Sequence, residues 1–546
     1  MTSNRLAFLL LILINSISSF AQGQLAIGSA GIEDFYRRQQ LMGEYDSTVS
    51  FLIRPISNNN FKSNNPYLLG QSTKEKNKLI VLPLISQSKY ANKQPYGWND
   101  GSLLPVGGYQ QLISAGVAGK LGPLNIQLNP EFHYAQNLDY DGFPLDAGTT
   151  LWSTYYRSQL NYIDTPESFG SEPINKLMWG QSSIKLELGP VSAGWSNQNI
   201  YWGPGKKNAL VMSNNSTGFQ HLTLNTNKAI KTPIGHFEAQ VIAGKLDGSG
   251  YDPPRANMVI NGQFIYRSRS EDWRYLSGIA MTYQPKWIPR LSLGFTRVVQ
   301  QYSETAKENN DYFAAFSNLF RSNDKFNDIV RDQLASVFFR YFWTSTKSEF
   351  YFEFSRNDTS IDFRDFFLEP GHAAAYLFGF TKLFPFQQKK NEFIEMELEW
   401  TILQQGSGRI IRDASTFYIH SQVRHGYTHK GEILGAGIGP SANAQTINVN
   451  WVSGMNKLGI QFERYVHNND LYIYLFQHIR NYRRHWIDIS TFVTGSWQFD
   501  NLMLGGKIGL IKSLNYQYQY YTTPSFQVGF ADKYNYTASF DVIYLF

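Results

Sequence analysis

From Tyr536 to Phe546, oily side chains fall on every second position: Tyr536, Ala538, Phe540, Val542, Tyr544 and Phe546. Asn535, Thr537, Ser539 and Asp541 fill the gaps, before Ile543 and Leu545 soften the alternation. An extended strand turns successive side chains to opposite faces, so this segment has one apolar and one polar face. The grammar recurs upstream. Ile394, Met396, Leu398 and Trp400 alternate with Glu395, Glu397 and Glu399. Phe350, Phe352 and Phe354 alternate with Glu349, Tyr351, Glu353 and Ser355, and Val337, Phe339, Tyr341 and Trp343 with Ser336, Phe338, Arg340 and Phe342. A soluble sandwich would turn the acids to water and the rings to a core. A membrane barrel turns the acids to a lumen and the rings to lipid. Aromatics make up 16% of the 546 residues while mean hydropathy is −0.34, and that combination favours the barrel.

Tight turns join these strands in pairs. Candidates are Lys120-Leu121-Gly122, Gly189-Pro190, Thr232 to Gly235, Pro285 to Pro289, Thr344 to Lys347, Pro385 to Lys390, Gly454 to Lys457 and Phe499 to Asn501. Gly, Pro, Asn and Asp supply the geometry such turns need. Longer polar stretches separate the hairpins, near 87–111, 136–180, 200–218, 247–275, 301–333, 358–373, 404–443, 468–484 and 521–535. With the terminal strand and one rising strand in 47–55 or 78–86, the count closes at about 18, the even number expected of a bacterial single-chain barrel. The tight turns then share the periplasmic side and the long loops the outside. The fold class expected is all-β, a transmembrane antiparallel barrel with a short N-terminal helical segment.

Arg5 and the apolar stretch Leu6 to Ile14 read as a signal peptide, with Ser19-Phe20-Ala21 as its cleavage site. The stretch is short of the roughly 20 residues a membrane-spanning helix takes. Gly31 to Gly43 reads as a short helix ending at a glycine. The expected division is a signal peptide over 1–21, a periplasmic helical segment over 22–46 and the barrel over 47–546. The chain has no Cys, which excludes disulfides and thiolate metal sites. Its net charge of +6 is compatible with an acidic polysaccharide partner, and no Lys/Arg run points to nucleic acid. The other partners expected are outer-membrane lipid and, through the terminal Phe546, the barrel-insertion machinery.

Two constellations carry candidate chemistry. The segment Trp195 to Lys207 combines rings, amides and ammonium groups around Gly203-Pro204-Gly205, where a rising strand meets the outer mouth. Sugars bind through such a mix: pyranose faces stack on rings, hydroxyls pair with amides, and uronic acids meet cations. An interfacial girdle plus a structural turn accounts for the same residues. The second constellation is Arg409, Arg412, His420, Arg424, His425, Tyr427, His429 and Lys430, extended by Arg480, Arg483 and Arg484. It reads as a basic surface for acidic glycans rather than a metal site, because its histidines lack a ligand spacing. Trp195, Tyr201, Trp202, Lys206, Lys207, Arg409, Arg412 and His425 are the glycan-binding residues expected. Arg340, Arg297 and Lys245 are the expected partners of the lumen acids, since like charges two apart on one strand repel. No G-x-S-x-G, H-E-x-x-H or Walker A motif is present, and neither a catalytic residue nor a cofactor or metal is expected.

Trp195 through Gly218 (WSNQNIYWGPGKKNALVMSNNSTG), with W-G-P followed by S-N-N, resembles the core of the capsule assembly Wzi family. Asp46 to Pro55, Asn129-Pro130-Glu131-Phe132, Glu353 to Asp358, Gly371-His372 to Tyr376, His425-Gly426-Tyr427 and Leu434 to Pro440 fit the same pattern in order. The resemblance implies an outer-membrane barrel with helical material at its periplasmic end, acting as a lectin without a catalytic step. Such proteins hold exported capsular polysaccharide at the surface of a Gram-negative cell. Gly31 to Gly43 is a shorter helical region than the resemblance implies. The readings weighed against this one are a passive porin and a barrel hydrolase.

Overall fold

The computed structural model describes residues 24–25, 31–57, 77–317, 330–357, 367–387, 389, 391–406, 414, 416–476, 482–519 and 531–546. The signal peptide expected over 1–21, together with Arg409, Arg412 and Arg480, lies outside them.

Among the described residues the wall holds eighteen strands. They begin with β1 (Asn77–Val81, continued by Leu84–Ala91), β2 (Gly108–Ser114, Val117–Leu121), β3 (Leu124–Leu128, Glu131–Ala135) and β4 (Ile174–Met178, Ser183–Leu188). Next come β5 (Val191–Ser196), β6 (His221–Thr226, Ile230–Thr232), β7 (Gly235–Leu246), β8 (Arg274–Pro285), β9 (Leu291–Tyr302), β10 (Asp332–Trp343) and β11 (Ser348–Asn357). The ring continues with β12 (Ala374–Pro385), β13 (Glu392–Ile402), β14 (Asn443–Ser453), β15 (Asn456–Val466), β16 (Ile487–Phe499), β17 (Leu502–Leu514) and β18 (Lys533–Tyr544). Each strand pairs antiparallel with the next, and β18 returns to β1 from Thr537↔Ala91 to Tyr544↔Leu84. Closure leaves no unpaired edge, which is what a sheet needs in hydrocarbon, where backbone N–H and C=O groups have no water to bond.

The first four strands are interrupted along one line, at Pro83, Gly116, Pro130 and Gly180. Proline cannot donate to a ladder, and the glycines let backbones approach. A Cβ on Gly180 would meet Asn129 O at 2.5 Å.

The alternation orients as the sequence requires. Phe540, Tyr544 and Phe546 are exposed on the lipid side, as are Trp400, Val337 and Trp343. Glu349, Glu353, Glu395, Glu397 and Glu399 are buried on the lumen side. The tight turns share one end and the long connections the other, so the long-loop end is extracellular.

Helix α1 (Ile32–Met42) closes the tight-turn end. Gly43, at φ 78, ends it with its N–H on Gln39 O and Gln40 O, a turn glycine reaches without strain. Ile32 and Tyr36 pack on Met455, Met503, Ile543 and Leu545, and Leu41 packs on Phe342, Leu383, Phe393 and Val452. The first wall strand starts at Asn77, not at the expected boundary of 47. Residues 49–56 run inside the barrel instead, where Ile53–Arg54 pairs with Tyr201–Trp202.

Candidate functional site

Two long connections turn inward and fill the lumen. The connection from β5 to β6, residues 197–220, crosses to the far wall, where a Cβ on Gly203 would sit 2.9 Å from Glu353 Oε2 of β11. Gly203 holds φ +119, so it is glycine by conformation as well as by space. The connection from β13 to β14 enters beside it. Tyr418 donates its hydroxyl to Leu210 O at 2.7 Å, Ser213 N–H bonds Leu434 O, and Ser216 donates to His429 O. Ile200, Trp202, Leu210, Val211, Met212, Tyr418, Tyr427 and Leu434 share one apolar cluster. The S-N-N motif staples three connections together. Asn215 donates to Ile433 O at 3.0 Å and accepts from Asn99 N–H at 3.0 Å, while Asn214 accepts from Asn199 at 2.8 Å.

The lumen acids find their cations on this plug. Arg37 of α1 pairs with Glu349 at 3.2 Å, and Arg340 pairs with the same carboxylate at 2.7 Å. Lys206 meets Glu397 at 2.5 Å, and the N–H groups of Lys206, Lys207 and Asn208 all point at Glu399. Arg54 pairs with Glu33 at 2.7 Å, and Lys457 with Asp34 at 3.3 Å. Of the three partners expected from the strands, only Arg340 fills the role. Arg297 donates to Gln333, and Lys245 lies exposed beside Asp247. The sequence hid the true partners because they come from distant inward segments.

The segment expected at the outer mouth therefore does something else. Trp202 is fully buried, with its indole N–H on Gln240 at 2.8 Å. Tyr201 is buried under the Arg54 guanidinium, 4.3 Å from its ring centroid, and donates to Gly205 O and Asn208 O. Neither ring has a free face for a sugar. Trp195 stands on the lipid side of β5, edge-on to Trp179 at 6.0 Å and between Ile184 and Leu222, so it joins the interfacial girdle. Lys206 is consumed by Glu397. His425 is buried against Tyr302, and burial with Arg274 alongside pushes its imidazole down to about 3. Among the described residues, no three His, Cys, Asp or Glu are placed to hold a metal. Of the expected residues that are described, Lys206 and Lys207 line a cavity, a chamber of about 330 Å³ between the plug and the wall.

Above the plug the outer connections build a cap. Trp152, Tyr155 and Tyr156 from the β3–β4 connection pack with Leu471, Phe476 and Tyr518 from two later ones. A basic surface lies on the cap around residues 160–163. Arg269 donates to Leu160 O at 2.9 Å and Ile163 O at 2.7 Å. Arg267 N–H bonds Asn161, His420 N–H bonds Tyr162 O, and Arg424 donates to Arg267 O at 2.8 Å and to Ser268 O. Carbonyls rather than carboxylates hold the Arg424 charge, and the Arg267 side chain is exposed. Half-buried Tyr266 adds a ring, with the Arg269 guanidinium 5.8 Å from its centroid. Sequence reading found His420 and Arg424 but passed over Arg267 and Arg269, which stand in the polar stretch 247–275 with no spacing to mark them.

The family model for the capsule assembly protein Wzi matches residues 110–500. Among solved structures, the chain resembles the Escherichia coli outer-membrane protein Wzi, described as a carbohydrate-binding β-barrel involved in group 1 capsule assembly. That likeness has a TM-score of 0.58 and 12% identity, and covers 96% of this chain and 100% of that one. Acinetobacter baumannii OccAB2 matches with a TM-score of 0.39 at 12% identity, over 85% of this chain and 97% of that one. Pseudomonas aeruginosa OccK8 matches with a TM-score of 0.39 at 10% identity, over 86% and 97%. No curated protein matches the sequence. The family model spans most of the wall and both inward connections, so the chain belongs to the capsule assembly protein Wzi family.

Proposed function

We propose that this outer-membrane barrel is a lectin that binds exported capsular or extracellular polysaccharide on its cap and retains it at the cell surface. The observation that carries the reading is the filled lumen. With α1 across one end and two interlocked connections within, the outward cap is the working surface. There, Arg267 and Arg424 offer charge to acidic sugars and Tyr266 offers a ring. Family membership and the carbohydrate binding named for the Escherichia coli protein support the same reading. Retention needs no bond made or broken. Weak contacts repeated along a polymer multiply by avidity, so no single site has to be tight. The exposed belt supports lipid as the surrounding partner, and the exposed ring of Phe546 supports recognition by the barrel-insertion machinery.

The test is binding of purified capsular polysaccharide to detergent-solubilised barrel, wild type against Arg267→Ala plus Arg424→Ala. The reading expects binding by the wild type and a large loss in the double variant. Equal binding by both would move the site off this surface. Absence of binding, together with turnover of lipid or peptide, would favour the hydrolase.

A further inference from the structure

Three cavities lie end to end along the wall from β15 to β18, beside the plug rather than through it. The outermost is the chamber of about 330 Å³, roofed by the β1–β2 connection, where Gly97 through Gly101 remain partly exposed. The innermost is a pocket of about 560 Å³ at the tight-turn end, between α1 and the turns at Asn391, Gly454 and Asp500. Exposed Glu44 and Asp500 line this pocket, so it opens to the periplasm. Between the two lies a cell of about 10 Å³. The cavities share walls. Asp541 and Ile543 line both the chamber and the cell, and Met455 and Gln498 line both the cell and the pocket.

The chamber calls for water. Glu131 accepts from Ser102 and Gln181, Glu463 from Tyr96, Thr446 and Gln461, and Asp541 from Gln87, all of them neutral donors. Lys207 reaches Gln461 at 3.5 Å, and Lys507 lies 4.0 Å from the Phe492 ring centroid. Charges of both signs therefore face one space with part of their demand for solvent unmet, and water serves them better than an ion of either sign.

The cell calls for water more sharply. The Ser496 hydroxyl oxygen and the Gln498 amide oxygen, both in its lining, are buried without a hydrogen-bond partner among the described residues. Leaving such atoms unpaired is costly. One water can accept from Ser496 and donate to Gln498 and Asp541, and a volume of about 10 Å³ is close to the least that admits it. Apolar packing sets this width. Met455, Met503 and Ile543 border the cell and pack with Ile32 and Tyr36 of α1. Gly505, paired with Asp541 across β17 and β18, adds no side chain to the space.

We propose that a continuous file of water, one molecule wide at Ser496, runs through these three cavities from the outer roof to the periplasm. The barrel then passes water while excluding ions and sugars, a selectivity set by the diameter of the passage and the hydrogen-bonding groups along it. A hydrated ion is wider than one water, so the passage is electrically silent and coexists with a lumen filled by the plug.

The experiment is osmotic shrinkage of proteoliposomes holding the full-length barrel, followed by stopped-flow light scattering beside protein-free vesicles of the same lipid. Wild-type vesicles are expected to shrink faster than protein-free ones. Ser496→Leu fills the cell and removes its hydroxyl, and is expected to lose that gain. Met503→Ala widens the cell and is expected to enlarge it. Wild-type shrinkage no faster than that of protein-free vesicles overturns the passage, and this comparison stands even if a variant fails to fold. A gain that survives in folded Ser496→Leu barrels also overturns it, because the water then crosses elsewhere. A steady ionic current through the wild-type barrel overturns the width of one water.

Discussion

The plug and the cap are built from the same residue types, Trp, Tyr, Asn, Lys and Arg, yet they spend them differently. In the plug, Trp202 gives its indole N–H to Gln240, Tyr201 gives its hydroxyl to backbone, and Arg37, Arg340 and Lys206 sit on carboxylates. In the cap, Arg424 is held by carbonyls and Arg267 points outward. Composition cannot separate a binding surface from a packed interior here. What separates them is whether each polar group has already found its partner. The motif that marks the family by sequence, W-G-P followed by S-N-N, turns out to be the staple of the plug.

That contrast can be broken by substitution, and the largest effect is expected inside. Glu349→Ala strands the Arg37 and Arg340 guanidinium groups without their shared carboxylate. Removing one partner of a buried pair costs about 3–5 kcal/mol, so the unfolding midpoint in detergent should fall sharply. Asn215→Ala should cost less, about 1–3 kcal/mol, by leaving Asn99 N–H and Ile433 O unpaired between three connections. The same denaturation measurement ranks the two.

Acid should loosen the packing around His425, where the plug meets the cap. The His425 imidazole titrates near 6.5 in an unfolded chain and is pushed down to about 3 by burial and by Arg274. The stability it contributes is therefore fully present above about pH 6.5 and is lost as pH falls towards the folded value. A melting series across that window should show a declining midpoint, and His425→Gln should flatten the decline. The smallest stability effect belongs to Arg267→Ala plus Arg424→Ala, within about 0.5 kcal/mol per surface site, although this pair should carry the largest loss of polysaccharide binding. If the cap variant unfolds the protein, or the Glu349 variant leaves it untouched, the contrast between the two regions is wrong.

Much of the wall was legible beforehand, because lipid on one side and a polar lumen on the other impose period two on every strand. Seven of the eight expected turns stand on Gly, Pro, Asn or Asp, from the one between Leu121 and Leu124 to the one at Asp500 and Asn501, while the turn at Thr344 to Lys347 has none of them. The first strand was one of two alternatives, and the wall takes the later. What could not be read is the direction a long connection takes. Trp195-Ser196-Asn197 begins at the outer end whether the chain then turns out to water or in to the lumen. Only the match of Lys206 to Glu397 and of Asn215 to Ile433, nearly two hundred residues away or more, decides it. The cap cluster was half visible for the same reason: Arg424 stood in a basic run, but its neighbours Arg267 and Arg269 arrive from another connection.

The filled lumen is tested most directly by single-channel recording of the purified wild-type barrel in planar bilayers. Interlocked connections above and α1 below should give a silent or only briefly flickering trace at neutral pH. A large, steady open-channel current from the intact protein would show that the plug does not occupy the lumen.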